Sequence, residues 1–460
     1  MKVITKNELE RACRVFFLLL VSKYNIDLFF KKRIAFYFYH QGKVILTNTR
    51  TQRVAVIGAG VIGICTALQL QQAGFAVTLY DENGLAQGCS KGNAGHFATE
   101  QVFPLAQVAL LKKLPAMLFN PLGPLRIDWR YAIKALPWFW QFIKNMPTAR
   151  FIAHTHALKA LNEHAIHAYE RLLANYQLGH LLTKQGSLLT FEKTPLVDVQ
   201  RTLAMYQAQG IKVKLLDTKQ VHALEPSLSD KIKHALLFED VAHSIEPHLF
   251  CIQLAQKFSL LKGQFRQQKV VAITPKSEGF MVSDEQDSLN FDKVVIAAGA
   301  WSASLIEPLG YTAPLDTERG YHCMVNINHG LTRPVASAER SLIMTPMSQG
   351  LRVAGTVEFA GINRKANNKR ALALLPHAQA LLASQPLSAK TTWMGCRPSL
   401  PDSLPIIGQA PNHNNLYFAF GHQHLGLTQG AITSELITDL CLNKAPSINL
   451  EPYSINRFMR

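Results

Sequence analysis

Residues 53–81 read RVAVIGAGVIGICTALQLQQAGFAVTLYD, and the fold follows from them. Arg53 to Ile57 is a short, apolar, β-branched run and reads as a buried strand. Ile62 to Ala73 has helical spacing, and Gly74 supplies its stop. Ala76 to Tyr80 reads as a second buried strand, which completes a β-α-β unit. Between the first strand and the helix stand Gly58, Gly60 and Gly63, a G-x-G-x-x-G turn. Gly58 permits the tight turn, Gly60 lets the backbone approach a diphosphate, and Gly63 lets helix pack close to strand. The helix N-terminus then offers free N–H groups and a positive dipole end to an anion. Asp81 follows Gly58 by 23 residues, at the end of the second strand. That is near the roughly 20-residue spacing of an acid that bonds a ribose 2′-OH. The acid argues against a 2′-phosphate, and so against NADP. Strand, glycines, helix and acid together read as a dinucleotide site rather than an ordinary glycine turn.

Four further segments carry chemistry. Val294-Val-Ile-Ala-Ala-Gly299-Ala-Trp301 is an apolar strand ending in small residues, which lets the chain pass a cofactor edge or simply leave a strand. Ala419-Phe-Gly421-His-Gln-His-Leu-Gly426-Leu427-Thr428-Gln-Gly430 leads into the last helix. Its glycines and Thr428 make either a capped loop or a second set of N–H donors for an anionic group, such as the N1–C2=O edge of a reduced flavin. His422 and His424 lack the neighbours of a metal pair, so no metal site is expected. Trp393-Met-Gly-Cys-Arg397-Pro-Ser-Leu-Pro401-Asp-Ser-Leu-Pro405-Ile-Ile-Gly408 sets Arg397 between strand-like residues and a Pro-rich turn. A planar guanidinium there suits bidentate capture of a carboxylate, although a surface ion pair is the commoner fate of an arginine. In Asp316-Thr-Glu318-Arg319-Gly320-Tyr321-His322, Tyr321 and His322 either donate to a substrate carboxylate, sit at a flavin, or belong to a strand with a buried tyrosine.

The chain has 460 residues, 48% of them hydrophobic and only 17% charged. Its formal net charge is +17. Without a zinc-finger or RNA-recognition pattern, this charge points away from nucleic acid and toward an anionic substrate or lipid surface. Seven cysteines without a CxxC pair argue against a disulfide framework and for a reducing compartment. The first 50 residues hold ten Lys/Arg against three Asp/Glu. Val15 to Ser22 is apolar but far shorter than the roughly 20 residues that span a bilayer. Residues 1–51 are therefore expected to be an extension outside the fold, a peripheral membrane anchor being the other reading. Residues 100–182 read as helical and irregular, including the Trp-rich run from Trp129 to Phe142.

Together the motifs resemble the D-amino-acid oxidase superfamily of FAD-dependent oxidoreductases, and most of all bacterial D-amino-acid dehydrogenases. The similarity runs from about Arg53 to near the C-terminus. RGYH and WMGxRPSLPD also resemble dehydrogenases of D-proline or hydroxy-D-proline. Gly92 to His96 (GNAGH) resembles the family segment beside the isoalloxazine ring, through Asn93, Ala94 and Gly95. Val270 looks like the residue whose backbone meets the adenine, and Arg397 matches the family's substrate-carboxylate arginine. Two departures stand out: residues 1–51 have no counterpart, and Gln423 and Gln429 fall where small residues are common.

The resemblance implies a two-domain α/β fold. A discontinuous Rossmann-like FAD domain comprises 52–100, 245–310 and 400–450. A mixed-sheet substrate domain comprises 101–244 and 311–399. It also implies hydride transfer from the substrate Cα to flavin N5, with Arg397, Tyr321 and His322 at the substrate, and electrons passing to a quinone or respiratory acceptor. The expected location is the cytoplasm, with peripheral contact at the inner face of the plasma membrane. An oxygen-using oxidase of glycine or sarcosine type, or a non-catalytic flavin-binding membrane subunit, are the alternatives.

Overall fold

Val54, Val56 and Ile57 are β-branched and buried, so Arg53–Ile57 extends as an interior strand with a neighbour on each side. In this computed structural model, which describes residues 51–108, 122–383 and 386–459, it lies in a six-stranded sheet. The order is Ile406–Gln409, Leu416–Phe420, Lys293–Ile296, Arg53–Ile57, Ala76–Tyr80, Gln264–Arg266. All neighbours are parallel except the first pair. Parallel strands buried on both faces read as unbroken apolar runs, as AVTLY and LYFAF do here.

Alternation along Arg53–Ile57 divides the core. Val54 and Val56 face the helices Val61–Gln72, Thr148–Ala174, Pro247–Leu260 and Gly426–Cys441. Ala55 and Ile57 face a three-stranded meander, Val270–Pro275, Phe280–Asp284 and Ser288–Phe291.

The second sheet has nine strands. Its path runs Ala389–Ser399, Asp316–Val325, Gly350–Phe359, Leu342–Met347, Val335–Ser337, Ser187–Phe191, His234–Phe238, Val213–Asp217, with Leu125–Ile127 beside Gly350–Phe359. Two pairings in it are parallel and the rest antiparallel, so it is mixed. The strands of the first sheet come from 53–80, 264–296 and 406–420, and those of the second from 125–127, 187–238 and 316–399.

Several boundaries differ from the sequence reading. The strand read as Val294 to Ala298 pairs only over Lys293–Ile296, because Gly299–Trp301 turns at once into a 3-10 helix. Val213–Asp217 and His234–Phe238 went unread: charged or polar residues at Lys214, Asp217 and His234 interrupt their apolar pattern. The extension 1–50 lies outside the described residues. Among the described residues, no helix is long and apolar enough to cross a membrane.

Gly63 fixes how closely the first helix meets its strand. A Cβ on it would sit 1.8 Å from the Gly58 carbonyl oxygen. Gly63→Val should therefore lower the unfolding free energy by about 3 kcal/mol through overpacking. Urea denaturation checks this, and unchanged stability would contradict the contact.

Candidate active site

The glycine turn is fastened from several sides. Gly58 has φ +105°, and a Cβ there would meet the Ala297 carbonyl oxygen at 2.4 Å. Its own N–H donates to the Tyr80 carbonyl at 2.8 Å. Asp81 accepts the Ala59 N–H at 2.8 Å on one carboxylate oxygen and the Asn83 N–H at 2.9 Å on the other. Each oxygen keeps a further acceptor position. Gly60 is the N-cap of Val61–Gln72, and the Ser90 hydroxyl oxygen accepts the Val61 N–H at 2.9 Å. The amides of Ile62 and Gly63 have no intrahelical partner, as in any first turn.

A second helix start lies beside the first. A Cβ on Gly430 would come within 3.3 Å of Val61 and 2.4 Å of the Tyr169 hydroxyl. The N-terminal turns of Val61–Gln72 and Gly426–Cys441 thus approach closely, with the amides of Gly426, Leu427 and Thr428 free of intrahelical partners. The loop before them is fixed by Gly421 at φ +85°, and the Tyr169 hydroxyl donates to the Leu427 carbonyl at 2.7 Å. The two glutamines that depart from the family pattern have structural work. Gln423 donates to the Ser399 hydroxyl and the Leu400 carbonyl, and Gln429 donates to Asn162.

The Gly92–His96 segment joins the two sheets' elements. The Thr428 hydroxyl oxygen accepts the Ala98 N–H at 2.9 Å just beyond it. Asn93 folds back to accept the Gly95 N–H at 2.8 Å, which leaves Ala94 at the crest of the turn. Gly95 has φ +74°, and a Cβ on it would meet the Ser244 carbonyl oxygen at 2.4 Å. From the second sheet, Arg352 donates to the Asn93 carbonyl, and His322 Nδ1 meets the Gly92 carbonyl at 3.0 Å. A carbonyl only accepts, so Nδ1 carries the proton and Nε2 is left as an acceptor. Gly299 follows the strand end against which Gly58 is pressed, and has open space beside it. Val270 opens the meander and shares a core with Ile57 and Tyr80.

Arg397 lies on one face of the second sheet. Glu318 pairs with Arg397, Gly320 with Gly395, and His322 with Trp393 across antiparallel strands, so all six share a face. The Arg397 guanidinium covers Gly320, where a Cβ would meet Cζ at 2.3 Å. Trp393 covers Gly395 and stacks on His322, with ring centroids 5.1 Å apart. Among the described residues, the Arg397 side chain makes no hydrogen bond or ion pair. Glu318 beside it is buried, which pushes its carboxyl above the usual range, and it accepts the Ser399 hydroxyl at 2.6 Å.

Tyr321 is not part of this face. Strand alternation turns it, with Arg319, to the opposite side of the sheet. There its hydroxyl donates to Glu358 at 2.6 Å and accepts the Asn367 N–H at 3.2 Å. Glu358 also lies 3.3 Å from the fully buried Arg319. The expectation that Tyr321 joins Arg397 at a carboxylate does not fit this placement. Trp393, Arg352 and the two glycines under the planar groups were not singled out as candidate site residues from the sequence, and the structure brings them onto the face of Arg397. The spacing Gly320-x-His322 opposite Trp393-x-Gly395-x-Arg397 was the available signal, since it alternates small and functional residues along one face.

His322 and His424, which lie near Arg397, are neutral imidazoles. Burial, with Arg352 and Arg397 nearby, pushes His322 down to about 3. Burial, with Arg397 and His96 nearby, pushes His424 down to about 4. Burial alone pushes His422 down to about 3, and its Nε2 lies 3.0 Å from the Thr433 hydroxyl.

The DAO family model, described as FAD dependent oxidoreductase, matches residues 53–440. A D-amino-acid oxidase of Bradyrhizobium diazoefficiens is 32% identical over 417 residues, covering 89% of this chain and 99% of that protein. Glycine oxidase from Geobacillus kaustophilus superposes with a TM-score of 0.68 at 21% identity, covering 88% of this chain and 99% of that one. L-proline dehydrogenase from P. horikoshii gives 0.69 at 15% identity, covering 89% and 98%. At these identities the two solved structures speak for the fold alone, whereas the family model and the curated relative speak for ancestry: the chain belongs to the DAO family of FAD-dependent oxidoreductases.

Proposed function

We propose that this flavoenzyme oxidises a D-amino acid, or a D-imino acid of proline or hydroxyproline type, and that its electrons pass to a quinone or another respiratory acceptor. One observation carries the reading: among the described residues the Arg397 guanidinium has no hydrogen-bond or ion-pair partner, and it lies flat over Gly320 beside neutral imidazoles. The D configuration rests on the motif resemblance and on the name of the Bradyrhizobium relative.

The chain has the parts to hold FAD. Gly58, Gly60, Gly63 and Asp81 would take its diphosphate and ribose, and Val270 its adenine. Asn93, Ala94, Gly95, Gly299, Gly421, Gly426, Leu427 and Thr428 would flank the flavin. Neither Gly58 nor Gly95 has room for a side chain, and two helix starts contribute unpartnered amides. Bound FAD supplies the two-electron acceptor that oxidation of a Cα–H bond requires.

The protein's own part is position and charge. The Arg397 fork takes both oxygens of a substrate carboxylate and fixes the orientation of Cα. Arg352 and Arg397 are cationic, His322 and His424 are neutral, and Glu318 is biased toward its protonated form. The resulting positive potential favours a neutral substrate amine over an ammonium, and the neutral amine is the form that yields an imine. No separate base is assigned, and Tyr321 supports the sheet rather than the substrate.

Oxygen as acceptor is the second reading, favoured by the oxidase name of the Bradyrhizobium relative. An anaerobic screen of D- and L-amino acids, including D-proline and hydroxy-D-prolines, tests the substrate class. Bleaching by D-substrates is expected, and indifference to every amino acid would remove the proposal. Stoichiometric hydrogen peroxide in air would assign the oxygen reading, and reoxidation by a quinone analogue without peroxide the first.

Arg397→Lys should raise KM by roughly 10- to 100-fold, because a lysine keeps the charge and loses the fork. Steady-state kinetics checks this, and an unchanged KM would take Arg397 out of the site. The buried imidazoles also set a pH dependence. Their folded-state values lie below the roughly 6.5 of an unfolded histidine. As pH falls below that value the unfolded chain binds protons the folded chain refuses, so stability is full above it and declines toward pH 4. One such group accounts for about 2 kcal/mol between pH 6.5 and 5. Urea unfolding at several pH values should show this slope, shallower in His422→Gln. Identical slopes would contradict the burial of a neutral His422.

A further inference from the structure

The helix Ala132–Lys144 turns an apolar face toward solvent. Its inner side is conventional: Ala135, Trp138 and Phe142 are buried, and Trp138 packs on Phe142 and Phe359. Its outer side carries Ile133, Leu136, Trp140 and Ile143, which are 81, 60, 60 and 45% exposed. At 3.6 residues per turn these four fall in one stripe about 80° wide, opposite the buried three. Trp129, 70% exposed, precedes the helix. A surface helix ordinarily directs polar groups outward, and a contiguous exposed apolar stripe marks a docking surface.

Charge identifies what docks. Between Asp128 and Glu163 the sequence holds no acidic residue, while Arg130, Lys134, Lys144, Arg150 and Lys159 are all basic. Asp128 is itself buried and paired with Arg364. The cations edge the apolar stripe: the Arg130 guanidinium lies 5.0 Å from the Trp129 ring, and the Lys144 amine 5.2 Å from the Trp140 ring. A second copy meeting this face would bring cation against cation. Anionic lipid supplies what the face lacks, phosphate for the basic rim and acyl chains for the stripe, with tryptophans at the boundary between them.

We propose that the outer face of Ala132–Lys144, with Trp129, is the surface by which this protein docks on an anionic lipid bilayer. The helix lies in the plane of the headgroups and does not cross. Docking here would bring the protein to a lipid-soluble quinone; that use rests on the function proposed above, whereas the docking itself does not.

The test is cosedimentation of the full-length, FAD-loaded protein with vesicles of mixed phosphatidylglycerol and phosphatidylcholine, or of phosphatidylcholine alone. Binding to the anionic vesicles is expected, and it should weaken by about ten-fold or more in Ile133→Glu/Trp140→Glu. Leu260→Glu, an equally exposed apolar site on another helix, should bind as wild type. Flavin content and turnover with a soluble dye report folding. Should the apolar double variant lose them, Lys134→Glu/Lys144→Glu takes its place and should lose binding to the anionic vesicles alone. Wild-type indifference to anionic vesicles, or wild-type binding by a folded variant, would overturn the proposal. Vesicle binding and amino-acid bleaching are read separately, so either reading can fail without the other.

Discussion

The backbone of Gly58 rests against the backbone of Ala297 with no room for a side chain between them. That contact sets the rest of the architecture. It joins the C-terminal ends of two adjacent parallel strands, Arg53–Ile57 and Lys293–Ile296, which are distant in sequence. Between those strand ends the chain must turn sharply into a helix, and its first amides then face outward from the sheet edge. Gly63 repeats the constraint on the other side of the turn, and Gly430 repeats it between helix starts. Three close approaches, each dependent on a missing Cβ, bring two rows of unpartnered amides into one region.

The second sheet answers with planar groups laid on glycines. Gly320 and Gly395 are bare so that Arg397 and Trp393 can lie flat over them. From the same face, His322 and Arg352 reach the Gly92–Asn93 carbonyls. The arginine proposed to take a carboxylate and the groups that hold the Gly92–Asn93 turn thus share one face of this sheet. Burial holds the His322 and His424 imidazoles neutral beside the Arg352 and Arg397 guanidiniums.

The sequence disclosed the parts whose chemistry is local. A β-branched run, three glycines and an acid at the right distance identify the dinucleotide unit, because each residue acts within its own turn or strand. The helix Val61–Gln72 and the strand Ala76–Tyr80 were legible for the same reason, as largely apolar runs. What escaped depends on pairing. Tyr321 and His322 are neighbours in the chain but point to opposite sides of the sheet, and only the register with Ala389–Ser399 shows which side bears Arg397. The partners of Gln423 lie 23 and 24 residues back in the chain and that of Gln429 267 residues back, so their departure from the family pattern had no local explanation. The outer stripe of Ala132–Lys144 hid for a related reason: a Trp-rich helix reads as core until one sees which side is already covered.

The most direct measurement is a calorimetric titration of deflavinated protein with FAD, in wild type and in Gly58→Ala. Wild type should bind stoichiometrically and tightly, and the folded variant should lose most of that affinity, because its new methyl group separates the turn from Ala297. Failure of wild type to bind FAD, or equal affinity in the two proteins, would contradict the account.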